Sequence, residues 1–181
     1  MNDGQNINLV LLPGLDGTGL LFTDFIAELP LDVHPHVIAY PPDKLCSLAE
    51  YANFVADNLP PGDVVLLAES FSGLVALTLA SKIPNSIRGL IFCAAFAEPP
   101  RPLLLHVARF LPGAAFLMRS APDFLLRQFC LGSTATKEQL EPLRKALALV
   151  SPEVLTHRLS LIATRVPFAE AQFKVLSLIH I

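Results

Sequence analysis

From residue 7 to residue 93 the chain alternates short apolar runs with segments of helical spacing, and the connections between them are brief. Ile7–Leu12 (INLVLL) stops at Pro13-Gly14 and reads as a buried strand. Residues 20–29 follow with Leu21, Phe25 and Leu29 on one helical stripe, closed by Pro30. Residues 36–40 read as a second strand, closed by Pro41-Pro42. Ser47, with Glu50 three residues on, has the spacing of a capping box for a helix running to about residue 59. After a turn at residues 60–63 come a third strand at 64–68, a helix at 73–82 and a fourth strand, Ile87–Cys93. Each helix carries the chain back to the same end of the sheet, so the strands run parallel with right-handed crossovers. The expected fold is α/β, a doubly wound parallel sheet of four strands.

Beyond Ala97 the pattern changes. Pro99, Pro100 and Pro102 break the chain, and residues 103–110, 123–129, 136–150 and 152–163 read as helices separated by proline and glycine. Thr136 with Gln139, and Ser151 ahead of Pro152 and Glu153, give good cap signals. The expected organisation is a core over 1–98, a helical lid over 99–163 and a tail over 164–181. No strand is expected after the lid, which leaves an apolar edge of Ile87–Cys93 uncovered.

Hydrophobic residues make up 52% of the chain and charged residues 16%. A membrane span is not the explanation, because Glu69, Ser70 and Ser72 interrupt one oily stretch, and His106, Arg109 and Pro112-Gly113 interrupt the other. A parallel sheet with both faces buried accounts for the oiliness. The first six residues lack the basic start of a secretory signal. Cys46, Cys93 and Cys130 are too few and too scattered for a disulfide framework or a zinc site, so the expected compartment is the cytoplasm, with no metal and no cofactor. Residues 1–100 carry 3 basic and 11 acidic side chains, residues 101–181 carry 10 and 5. No basic cluster is dense enough for nucleic acid. The basic half is either a differently solvated surface or a face for an anionic partner such as an acyl carrier or a membrane surface.

The segment VVLLAESFSGLVALTLA (residues 64–80) turns a buried strand directly into an apolar helix. That is the local pattern of a nucleophile elbow, in which a serine on a strained strand-to-helix turn exposes its Oγ. The close approach of strand and helix demands small residues two before and two after the nucleophile. Around Ser70 those places hold Ala68 and Ser72, with Gly73 one further on, where the usual pattern has glycine. Taking Ser72 as nucleophile would put Leu74 at a small position, so the spacing selects Ser70. The plainer alternative makes Ser70 a helix N-cap. A second motif, LLPGLDGTG (residues 11–19), follows the first strand and opens the first helix. Its glycines could cradle a phosphate, but the spacing matches neither common nucleotide-binding pattern. Acyl transfer needs two N–H donors for an oxyanion. Phe71 and Leu15 stand at the two places where this architecture supplies them, with Gly14, Asp16 and Gly17 shaping the loop.

With loop and elbow in this order, the chain resembles the α/β-hydrolase superfamily over roughly residues 7–98. The Leu-Pro-Gly-Leu-Asp-Gly-Thr-Gly loop and Glu-Ser-Phe-Ser-Gly turn are similar to those of small bacterial esterases and of hydrolase-fold acyltransferases that make phytyl and other lipid esters. The resemblance implies a strand order of 2-1-3-4, with the family's first two strands absent. It implies a triad of Ser70, then an Asp or Glu, then a His, the last two after later strands. No such strands are evident. Glu98, just past the fourth strand, is the remaining candidate acid, while His34, His36, His106 and His157 fall in the wrong topological places. His180 lies in LSLIHI (residues 176–181), which matches the translation of a sequencing-library adapter. The acid and base are therefore expected beyond this chain. The expected function is an esterase or thioesterase acting on a small-molecule, hydrophobic acyl substrate through an acyl-enzyme at Ser70, the fragment itself inactive. The alternatives are a hydrolase-fold acyltransferase and a non-catalytic binding protein of the same fold.

Overall fold

The computed structural model describes residues 7–83, 85–95, 120, 122–127, 134–162 and 176–179. Strands β1 (Ile7–Leu12), β2 (Val33–Val37), β3 (Val64–Glu69) and β4 (Ile87–Cys93) pair in parallel in the expected order β2-β1-β3-β4. A fifth strand, β5 (Leu176–Ile179), adds in parallel to β4 with Leu90 opposite Leu176 and Cys93 opposite Ile179. Among the described residues the sheet therefore has five strands rather than four, and the edge of β4 expected to be bare is covered. The physical reason is the edge itself, whose row of unpaired N–H and C=O groups is satisfied by a short apolar run.

The second strand lies three residues earlier than the spacing predicts, and Pro35 is inside it, opposite Leu9. A proline is tolerated because β2 is the outer strand, where only half of the N–H groups face a neighbour. The chain then leaves the sheet, and the Ile38 N–H donates to the Leu11 carbonyl at 3.1 Å.

Both faces of the sheet are covered, as period-two alternation requires. Val10, Leu12, Leu66, Ala68, Leu90 and Phe92 pack under α2 (Leu48–Asp57) and α3 (Ser72–Lys82). Leu9, Leu11 and Leu67 face the other way, against Phe22 and Ile26. The expected capping box of α2 forms, the Ser47 side chain accepting from the Glu50 N–H while the Ser47 N–H donates to the Glu50 carboxylate at 2.8 Å. The helix expected at 20–29 is shorter, a 3₁₀ turn at Leu20–Phe22 leading into α1 (Thr23–Ala27). Its tight first turn shifts the buried stripe, so Phe22 is 6% exposed whereas Phe25, expected in the core, is 41% exposed.

The helical segment comprises α4 (Asp123–Leu126), α5 (Lys137–Ala148) and α6 (Pro152–Ile162). The helix expected at 103–110 lies outside the described residues. Leu126, Leu140, Leu143, Leu147, Val154 and Leu155 form a separate apolar cluster, against which Leu15 and Leu21 of the first loop region pack. Among the described residues no helix is long and apolar enough to cross a membrane.

Candidate active site

Strand β3 delivers Ser70 to the start of α3 in a left-handed backbone conformation, φ 48°. For a residue with a Cβ this conformation costs roughly 1–2 kcal/mol, so the surroundings must hold it. The Ser70 N–H donates to the Cys93 carbonyl at the end of β4 at 3.0 Å, and the Ser70 carbonyl accepts from the Gly73 N–H at 3.1 Å. Ala68 and Ser72 are both buried, as the crowding of strand on helix requires. Ser72 is held on two sides. Its Oγ donates to the Pro13 carbonyl and accepts from the Tyr40 hydroxyl at 2.5 Å. A glycine in this place could do neither, so the departure from the usual pattern ties the elbow to the first loop. Ser70 is half-buried, and no described residue hydrogen-bonds its hydroxyl.

The loop at 13–17 is fixed carbonyl by carbonyl. Pro13 accepts from Ser72, Gly14 from the Gly17 N–H at 3.1 Å, and Gly17 from the Tyr40 N–H at 2.7 Å. The Leu15 and Asp16 carbonyls accept from one guanidinium nitrogen of Arg158 at 2.9 and 2.8 Å. Gly17 has φ 70°, and a Cβ there would stand 2.3 Å from that same nitrogen, so both backbone and space demand glycine. The Asp16 carboxylate accepts from the Thr18 N–H at 2.8 Å and from its hydroxyl at 2.5 Å. The N–H groups of Leu15 and Phe71 have no partner among the described residues.

Two charged groups that the sequence reasoning passed over are built into this region. Glu69, adjacent to Ser70, comes within reach of the loop, for a Cβ on Gly14 would lie 3.1 Å from its Oε1. Burial pushes its carboxyl up to about 7, the nearby Asp16 adds to the rise, and the Gly14 N–H donating to it opposes the rise. Arg158 of α6 is fully buried. It occupies the helix stripe of Val154 and Ile162, spaced four residues apart, and a lone cation on an otherwise apolar stripe was the signal that could have found it.

Of the expected site residues, the structure brings together Gly14, Leu15, Asp16, Gly17, Ala68, Ser70, Phe71, Ser72 and Gly73, all at the ends of β1 and β3. The Phe71 ring packs edge-on against Tyr51 and Tyr40, with centroids 5.5 and 6.1 Å away. The histidines are elsewhere. His34 and His36 lie on the outer strand β2, two strands from the elbow, and the His157 ring nitrogen is 3.0 Å from the Cys46 carbonyl. Glu98, His106 and His180 lie outside the described residues. Cys46 and Cys93 are free thiols, and the described residues contain no cluster of metal-ligating side chains.

A family model for the alpha/beta hydrolase fold matches residues 40–149, more than half of the chain. The chain belongs to the alpha/beta hydrolase fold family. Its likeness to solved hydrolases extends over nearly its whole length. A carboxylesterase of the thaumarchaeon Nitrososphaera gargenis superposes with a TM-score of 0.66 at 14% identity, over 91% of this chain and 66% of that one. A thermophilic esterase from Thermogutta terrifontis gives 0.61 at 20% identity, over 90% and 65%. The juvenile hormone epoxide hydrolase of the silkworm Bombyx mori gives 0.59 at 17%, over 98% and 57%. At these identities the likeness is one of fold. This hydrolase-fold chain spans about two thirds of the length of the two esterases. No curated protein matches it.

Proposed function

We propose that this chain carries the nucleophile and oxyanion hole of a serine hydrolase that cleaves carboxylic or thio-esters of hydrophobic acids. The observation that carries the reading is Ser70 at φ 48° between β3 and α3, its hydroxyl unengaged by any described residue. In the 13–17 loop, the Leu15 N–H has no partner among the described residues. Oγ of Ser70 bonds to the acyl carbon as the carbonyl π electrons move onto oxygen, and the N–H groups of Leu15 and Phe71 receive that charge. A base takes the hydroxyl proton and passes it to the departing oxygen or sulfur as the ester or thioester bond breaks. Water then attacks the acyl-enzyme, giving its proton to the same base, and the free acid and Ser70 are regenerated. No described residue is placed to be that base, so the acid and histidine come from outside the described residues. The apolar cluster of the helical segment, packed against Leu15 and Leu21, supports a hydrophobic acyl group as substrate and a role as lid. A small-molecule ester or thioester, free or on an acyl carrier, in the cytoplasm fits this reading.

Fluorophosphonate labelling followed by peptide mass spectrometry tests it. Ser70 should be modified and Ser70→Ala should not. With no base among the described residues, the expected rate is slow, carried by oxyanion and binding terms that leave roughly 10³–10⁴-fold over water. Equal labelling of the Ser70→Ala chain refutes the reading, and rapid stoichiometric labelling means that a base reaches Ser70 from outside the described residues.

A further inference from the structure

We propose that Arg158 is a positioning residue of the oxyanion hole, through which the seating of helix α6 sets the geometry of the 13–17 loop. The proposal rests on the serine-hydrolase reading above. The guanidinium donates four hydrogen bonds, from Nε to the Tyr51 hydroxyl at 2.9 Å, from one terminal nitrogen to the Leu15 and Asp16 carbonyls, and from the other to the Pro41 carbonyl at 3.0 Å. Its carbon lies 5.6 and 5.5 Å from the ring centroids of Tyr40 and Tyr51. With no solvent exposure and four of five N–H groups engaged, it is not accessible as the partner of a substrate carboxylate. Among the described residues no carboxylate pairs with it. A buried cation is expensive unless its charge is met, and here three carbonyl dipoles, a hydroxyl and two ring faces meet it. Three of the four hydrogen bonds go to backbone oxygens, and two of those belong to the loop that carries the oxyanion donor.

The geometry says what this does. A trans peptide places its C=O and N–H on opposite sides. Drawing the Leu15 carbonyl toward α6 therefore turns the Asp16 N–H away from α6 and polarises it. Gly17 donating to Gly14 turns the Leu15 N–H in the same manner, and Arg158 on the Asp16 carbonyl fixes the peptide from which Gly17 donates. Ser72 on the Pro13 carbonyl is the second anchor, from the elbow side. The loop is thus pinned at one end by the helix that presents the nucleophile and at the other by the helical segment. Preorganised donors of this kind contribute because they need no reorientation as charge develops. A displacement of about 1 Å can cost on the order of 100-fold in rate.

Five forms of the full chain test this: wild type, Arg158→Lys, Arg158→Met, Arg158→Ala and Tyr51→Phe. Tyr51→Phe removes only the Nε acceptor and keeps the packing, so it serves if the arginine variants fail to fold. Two readings are taken, the fluorophosphonate labelling rate of Ser70 and amide hydrogen exchange of the peptide spanning residues 11–20. Arg158→Met should slow labelling about 10–100-fold and speed exchange in that peptide. Arg158→Lys should fall between, since one ammonium cannot bridge three carbonyls, and Tyr51→Phe should shift both readings a few-fold in the same direction. Millimolar methylguanidinium added to Arg158→Ala should restore part of the labelling rate. Unchanged exchange at 11–20 in every folded variant overturns the proposal, whatever the labelling shows. If wild type is not labelled at Ser70 while the exchange of the variants rises, the serine-hydrolase reading fails and the loop tie stands.

Discussion

Glu69 is one residue from Ser70 and belongs to a strand whose inner positions are all apolar. Burial pushes its carboxyl up to about 7, so it is largely neutral below that pH and becomes a buried anion above it. In the proposed reaction a neutral neighbour is compatible with charge developing on an oxyanion nearby, and an ionised one opposes it. For stability, a raised folded-state value means that the contribution is fully present below the unfolded value of about 4.5 and is lost as pH rises through about 7. The ceiling on that loss is about 3 kcal/mol. Glu69→Gln keeps an oxygen for the Gly14 N–H but cannot ionise. Urea midpoints at pH 5 and pH 8 should therefore separate clearly for wild type and nearly coincide for Glu69→Gln. An equal fall in both proteins excludes Glu69 as the cause. At this scale the sequence exposed Ser70, because a steric rule governs which residues may flank it. It did not expose Glu69 or Arg158, because a charged letter in a string reads as solvated until packing shows otherwise. The replacement of glycine by Ser72 was visible in the string. Its purpose was not, since the partners Pro13 and Tyr40 come from other elements.

Elements were legible where their boundaries have local causes. The capping boxes at Ser47 and Thr136 depend only on residues three apart, and both form as read. Thr136→Ala should cost about 1 kcal/mol of stability. The Thr136 side chain accepts from the Gln139 N–H at 3.4 Å while Gln139 reaches back to the Thr136 N–H at 2.9 Å. Gln139→Ala should therefore lose part of the same energy, and a double-mutant cycle in urea should show that the two losses do not add. Additive losses mean that the box is not a coupled unit. Strand β2 and the first helix were misplaced for the opposite reason. Pro35 is acceptable in a strand only at a sheet edge, and which strand is outermost is a property of the assembled sheet. Strand β5 falls within residues 176–181, whose match to an adapter translation argues against a structural role, and only the open side of β4 gives it a partner.

For the whole molecule, two bodies of apolar packing meet at the 13–17 loop: the layers around the sheet, and the cluster of the helical segment that takes in Leu15 and Leu21. Ala68 and Phe71, on either side of Ser70, belong to the first, and Arg158 is delivered by α6, which contributes Val154 and Leu155 to the second. Leu15 and Arg158 are separated by 143 positions in sequence. Closing a flexible loop of that length costs about 4 kcal/mol in chain entropy, which the α/β layers must largely offset before the arginine can dock. The site is thereby tied to the order in which the protein is made. During synthesis Ser70 and the 13–17 loop leave the ribosome long before α6 does, and domains begin to fold as they emerge. The nascent chain would then hold its serine on a finished elbow beside an unfinished loop. A chain shortened to end at Val150 reproduces that moment, and hydrogen exchange at 11–20 should be faster in it than in the full chain while the β3 amides stay protected. Equal protection at 11–20 would mean that the loop sets early. If exchange is faster, helix α6 acts as a timer that withholds the proposed reactivity from a protein still being built.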